Sequence, residues 1–169
     1  MPKPGAPACA VRYSIDAVTA PDLVDALTAW HRMAGPDGLF RYNVDGSFAD
    51  VAGDAQLLKP RSTIALIDAA EPKDWSLLYC GAGFSFVSEH CLVGRRIGDL
   101  PSPGMLQATV ESYRQLLPEA RPAVHRLSGS MQGRDICYDR LWLPIADPAG
   151  EVRAFVTVAE MLPVPSESG

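Results

Sequence analysis

Residues 122 to 161 read PAVHRLSGSMQGRDICYDRLWLPIADPAGEVRAFVTVAEM, with apolar residues recurring at every second position around two turn signals. A period of two belongs to a strand whose side chains alternate between faces. Asp147-Pro148-Ala149-Gly150 puts Asp first, Pro second and Gly fourth, the order a type I turn favours, since Pro presets φ and Asp accepts backbone hydrogen bonds. Met131-Gln132-Gly133 marks the earlier turn, with Ser128-Gly129-Ser130 read as part of it. Three consecutive antiparallel strands follow, and they need cover from the rest of the chain.

Upstream, STIALIDAA (62 to 70) and WSLLYCG (75 to 81) read as two more strands around the turn Glu71-Pro72-Lys73-Asp74. Between the two strand groups the period lengthens. Phe84, Val87 and Cys91 share a helical face before Gly94, with Phe86 and His90 beside it. A second helix is predicted with Ser102 as cap, Pro103 in its first turn, an apolar stripe from Leu106 through Tyr113 to Leu117, and Pro118 closing it. Near the N-terminus, Leu23, Ala26, Leu27, Trp30 and Met33 predict an amphipathic helix that Gly35-Pro36 ends, with Thr19 and Asp22 as a capping box. Residues 34 to 62 read as a loop-rich connector, with a small hairpin suggested at Asp45-Gly46.

The predicted fold class is thus α+β: a five-stranded antiparallel sheet with helices on one face and an N-terminal amphipathic helix. The domain boundaries read as a flexible segment over 1–18, a single domain over 19–161 (helix 19–34, connector 35–61, core 62–161) and a disordered tail over 162–169. A ligand position is expected between sheet and helices.

Composition excludes several classes. A net charge of −5 and a pI near 5.1 oppose nucleic-acid binding, which rests on clustered Lys and Arg. Arg95-Arg96 reads as a solvated turn. No apolar run reaches the ~18 residues of a membrane span and the start lacks a signal-peptide core, so neither membrane insertion nor secretion is expected, and the cytoplasm is the expected compartment. The four cysteines, Cys9, Cys80, Cys91 and Cys137, are too scattered for zinc-ligand spacing or a small disulfide framework.

Catalytic machinery is not evident. There is no Gly-x-Ser-x-Gly elbow. His90 and Cys91, adjacent on a helix, point about 100° apart and do not readily share an ion; no metal site is assigned. His125 reads as a surface cross-strand partner and His31 as an exposed residue near a helix C-terminus. Gly81-Ala82-Gly83 precedes a helix and its N–H groups suit an anion, though three residues fall short of a phosphate loop. An alternative function is a small isomerase- or hydrolase-like pocket enzyme with Asp68, Asp139 or Glu160 as base and Tyr113 or Tyr138 as donor. A haem or flavin sensor is a third; no cofactor is required by the sequence.

The aromatic residues carry more. Phe84, Phe86, Tyr113, Tyr138, Trp142 and Phe155 fall on elements that should face one another, and with His90 and Thr157 they form the predicted pocket lining. Tyr138, Arg140 and Trp142 share one face of their strand and Cys137, Asp139, Leu141 and Leu143 the other; each face has a charge, so alternation leaves the inward one open. Leu23, Leu27 and Trp30 are candidates for a dimer or partner contact, or for capping the sheet's outer face.

Taken in order, STIALIDAAEPKDWSLLYCG, LVGRRIGDLPS, YRQLLPEARPAVHR and YDRLWLPIADPAGEVRAFVTVAEM resemble a divergent branch of the PAS family common in proteobacterial genomes. The resemblance covers about residues 60 to 161 and, less closely, the helix at 20 to 33; the connector departs from it. It implies a stand-alone sensory module, often dimeric, that binds a small molecule or a partner protein without chemistry of its own. Its signal is expected to pass in trans to a signalling protein such as a histidine kinase.

Overall fold

The computed structural model describes residues 8–45, 47–84, 93–99, 103–131 and 133–164. Three helices, α1 (Pro21–Met33), α2 (Phe48–Asp54) and α3 (Pro103–Leu116), surround one antiparallel sheet. Its strands are β1 (Cys9–Tyr13), β2 (Ser62–Leu66), β3 (Ser76–Cys80), β4 (Ala123–Met131), β5 (Arg134–Ala146) and β6 (Val152–Met161), in spatial order β1-β4-β5-β6-β2-β3.

The three C-terminal strands form the predicted meander, with Leu141 paired to Val124 on one side and Val158 on the other. The Asp147 turn forms as its residues dictate. Its carbonyl accepts from Gly150 N–H at 2.9 Å and its side chain from Glu151 N–H at 3.0 Å. β2 and β3 make the first hairpin, and β2 joins the meander through β6.

Several expectations need correction. The sheet has six strands rather than five, because residues 9 to 13, read as part of a flexible segment, pair along β4 from Cys9–Ser128 to Tyr13–Val124. Five residues with one turn's worth of alternation carry too little pattern to reveal an edge strand. The connector holds a helix, α2, instead of a hairpin: Asp45 folds the entry by accepting from both the amide and the hydroxyl of Ser47, and Phe48 and Ala52 are buried. The cap of α1 is Ala20, without a side-chain hydrogen bond, and Pro21 takes the first helical position in place of the Thr19 capping box. Ser128-Gly129-Ser130 lies within β4. The helix predicted from Phe84 to Cys91 and the Ser102 cap fall largely outside the described residues, apart from a single 3-10 turn at Ala82–Phe84.

Both faces of the sheet are covered, each by its own apolar cluster. On the outer face α1 lays Leu23, Ala26, Ala29 and Trp30 against Leu141, Leu143, Ile145, Val156 and Val158. Pro144 interrupts β5 here, and its carbonyl accepts the Trp30 indole N–H at 2.8 Å. Leu23, Ala26 and Trp30 of the amphipathic stripe are therefore buried against the sheet, the capping use of the two considered, while Leu27 is half-buried and Met33 exposed. On the inner face α3 brings Met105, Ala108, Tyr113 and Leu116 over Ala123, Leu127, Tyr138, Trp142 and Phe155.

Candidate functional site

Which face of β5 points inward is settled by its partners. Trp142, Thr157, Thr63 and Cys80 stand side by side in one row across β5, β6, β2 and β3. Arg140 stands two residues along β5 from that row, and so on the same face, opposite His125 on β4 and Ala159 on β6. Tyr138, Arg140 and Trp142 thus share the face under α3, while Asp139, Leu141 and Leu143 point outward.

The rings pack on one another. Tyr113 from α3 meets Trp142 edge-on at 4.8 Å and lies 5.3 Å from Phe155; Trp75 is 5.1 Å from Tyr113 and 6.3 Å from Phe155. Such offset and edge-to-face contacts are the arrangements aromatic quadrupoles favour.

A charge sits within this apolar setting. Arg140 is 8% exposed, and its guanidinium lies 4.6 Å from the centroid of the Trp142 ring. One terminal nitrogen donates to Thr157 Oγ1 at 3.1 Å and Thr63 Oγ1 at 3.3 Å, and the two threonine hydroxyls bond each other. Among the described residues no carboxylate lies within ion-pair distance of Arg140. Its Nε, the Trp142 indole nitrogen and the Tyr113 hydroxyl are all buried without a hydrogen-bond partner among the described residues. Burial pushes the Tyr113 and Tyr138 hydroxyls above the ordinary phenol pKa, and the Arg140 charge opposes both shifts.

His125 continues this floor toward the surface. It is 2% exposed, correcting its reading as a surface residue, and its ring meets Trp142 at 5.7 Å. Burial, then the charge of Arg12 with a smaller push from Arg140, lowers its pKa to about 4, against a weaker upward pull from Glu119. The imidazole is therefore neutral at neutral pH. It also lines a groove of about 360 Å³ between α3, β1 and β4, with Arg12, Gln107, Glu111 and Ser112. Arg12 closes one side through a two-pronged ion pair to Glu119 at 2.7 and 2.8 Å.

Of the predicted pocket residues, Tyr113, Tyr138, Trp142, Phe155 and Thr157 come together on the inner face. Phe86, His90 and the Phe84 side chain lie outside what is described. Leu23 and Trp30 are buried under α1 and Leu27 is half-buried. Sequence reading missed Thr63, Arg140 and His125 as members of the site. The signal for Arg140 was an arginine in a run that is otherwise almost wholly apolar, YDRLWLPIA, where burial demands a partner on another strand.

The proposed anion cradle and the enzyme alternative both meet different geometry. Gly81 N–H donates to Ser62 O at 2.9 Å and Gly83 N–H to Pro60 O at 2.8 Å, so these amides are satisfied within the chain. Glycine is required there for space: a Cβ at Gly81 would lie 2.2 Å from Pro60 O. Asp139 is held by Arg126 through contacts of 2.9 and 3.2 Å and faces away from Tyr113. Asp68 accepts from the amide and hydroxyl of Ser76, and Glu160 pairs in register with Asp139 on the outward row.

No protein-family model and no curated protein matches the chain in sequence. Solved structures do match in shape. An RNA-binding light-oxygen-voltage receptor superposes with a TM-score of 0.50 at 14% identity, over 95% of this chain and 40% of that one. A light-oxygen-voltage domain whose mechanism was probed with a flavin analogue gives 0.50 at 17% identity, over 69% and 85%. Light-oxygen-voltage domains are a subfamily of PAS domains, and the fold of this chain is the PAS fold.

Proposed function

We propose that this chain is a PAS-type sensory protein that binds a small molecule between α3 and the inner face of the sheet and passes the signal in trans. The observation that carries the reading is the polar floor among the rings: Arg140 on Thr63 and Thr157, with unpartnered polar atoms on Tyr113 and Trp142. A core built only for stability has no use for such a group, since each buried unpaired polar atom costs about 1–3 kcal/mol.

Trp75, Tyr113, Trp142 and Phe155 occupy much of this face with mutual contacts, which favours a ligand smaller than the three fused rings of a flavin. A smaller ligand, held by a few polar contacts at one end, suits the floor better.

Signalling to another protein, such as a histidine kinase, and self-association belong to the same proposal. Val11 on β1 and Val24 and Met33 on α1 are exposed apolar residues on which a partner could rest. The catalytic alternative draws no support from Asp139, whose carboxylate is tied to Arg126.

A native mass spectrum of the intact chain, purified from the cells that make it, tests the reading. A discrete small mass that leaves on unfolding is expected; bare protein in every preparation would count against the pocket. Affinity purification from the same cells should retain a signalling protein, and failure to retain one would count against the trans role.

A further inference from the structure

We infer that the ligand carries a carboxylate and that Arg140 receives it. The inference rests on the pocket reading above and deepens it from any small molecule to an organic acid.

The free groups around Arg140 point to an acceptor-rich partner; the neutral His125, whose Nδ1 is also buried and unpartnered, belongs to the groove between α3, β1 and β4 instead. Arg140 has only donors, and its Nε–H is buried and unpartnered. The Trp142 indole is donor-only and equally unpartnered, and the Tyr113 hydroxyl beside them can turn its hydrogen the same way. Thr63 and Thr157 use acceptor capacity on the Arg140 guanidinium and one hydrogen on each other, which leaves one further hydroxyl hydrogen. A donor set around a full positive charge matches a group that only accepts, and an ionised carboxylate is the compact organic group that does so.

Charge points the same way. Cation–π contact with Trp142 and two hydroxyls offset only part of the desolvation of a guanidinium, and no described carboxylate stands near it. An incoming anion supplies the missing counter-charge. The surrounding rings of Trp75, Tyr138 and Phe155 suit an apolar body attached to the acid.

Acetate, succinate and benzoate, each paired with its amide, titrated against the full chain with thermal unfolding and calorimetry as readouts, form the test. At least one acid should bind about 10-fold or more tightly than its amide, the scale of a charge-assisted hydrogen bond in a buried site. R140M should lose that preference while binding the amide within about threefold of the wild type. Should R140M not fold, W142F, which keeps a ring and removes one donor, should weaken the acid more than the amide. Acids and amides binding alike, with R140M unchanged, overturn the carboxylate and leave the pocket. No response to any of the six overturns both.

Discussion

The two faces of the sheet bury similar amounts of side chain by different means. Under α1 the contacts are apolar, and the Trp30 indole, the one side-chain polar group among the described residues fully buried in that cluster, has the Pro144 carbonyl as partner. Under α3 an arginine and two threonines sit among rings, two of which, Tyr113 and Trp142, have unpartnered polar ends. The outer face has what stability requires; the inner face has polar groups that stability alone would remove. A strand can serve both because alternation separates Leu141 and Leu143 from Arg140 and Trp142.

Breaking the outer face should have the largest effect. Trp30→Ala removes a fully buried ring and leaves the Pro144 carbonyl unpartnered, and should cost about 3–5 kcal/mol in urea unfolding. The inner face should behave in the opposite sense. Arg140→Met should leave the ligand-free protein as stable as the wild type or up to about 4 kcal/mol more stable, because an uncompensated buried charge is replaced by an apolar chain of similar length. A loss as large as that of Trp30→Ala would instead make Arg140 a structural residue.

Thr157→Val sharpens the same contrast. It keeps the shape but removes an acceptor for Arg140 and a partner for Thr63, and should cost about 1–2 kcal/mol by denaturant unfolding while weakening acid binding. The last effect concerns pH. His125 has a folded pKa of about 4 against 6.5 unfolded, so the unfolded chain holds the extra proton between those values. The His125 contribution to stability is therefore full above pH 6.5 and is lost on acidification toward pH 4. His125→Phe should flatten that part of the profile relative to the wild type, with Arg12, Glu119 and Arg140 unchanged around it.

The legible parts of the fold were those whose pattern is local. β4, β5 and β6 announce themselves through alternation and the Asp147 turn, and α1 and α3 through their apolar spacing. β1 was not legible, because CAVRY is short and mostly exposed and its pairing depends on β4, over a hundred residues away. α2 was hidden because FADVAGD is a poor helix former; the burial of Phe48 and Ala52 holds it instead. The inward face of β5 was undecidable because adjacent positions carry opposite charges. The resolution lies on other strands: Thr63 and Thr157 receive Arg140, whereas Arg126 receives Asp139. Tyr113, Tyr138, Trp142 and Phe155 were read as facing one another, whereas Trp75 and the polar floor required knowing which strands stand together.

The three tryptophans offer the most direct test, since each indole N–H gives a separate signal in a proton–nitrogen correlation spectrum. Trp30 donates to Pro144 O and Trp75 to Ala69 O, while Trp142 has no partner among the described residues. On titration of the labelled chain with the acid that binds in calorimetry, the Trp142 indole and Arg140 Nε–H signals should shift together while Trp30 stays in place. A Trp142 signal that never moves, or one that moves no more than that of Trp30, would contradict the assignment of the inner face to ligand binding.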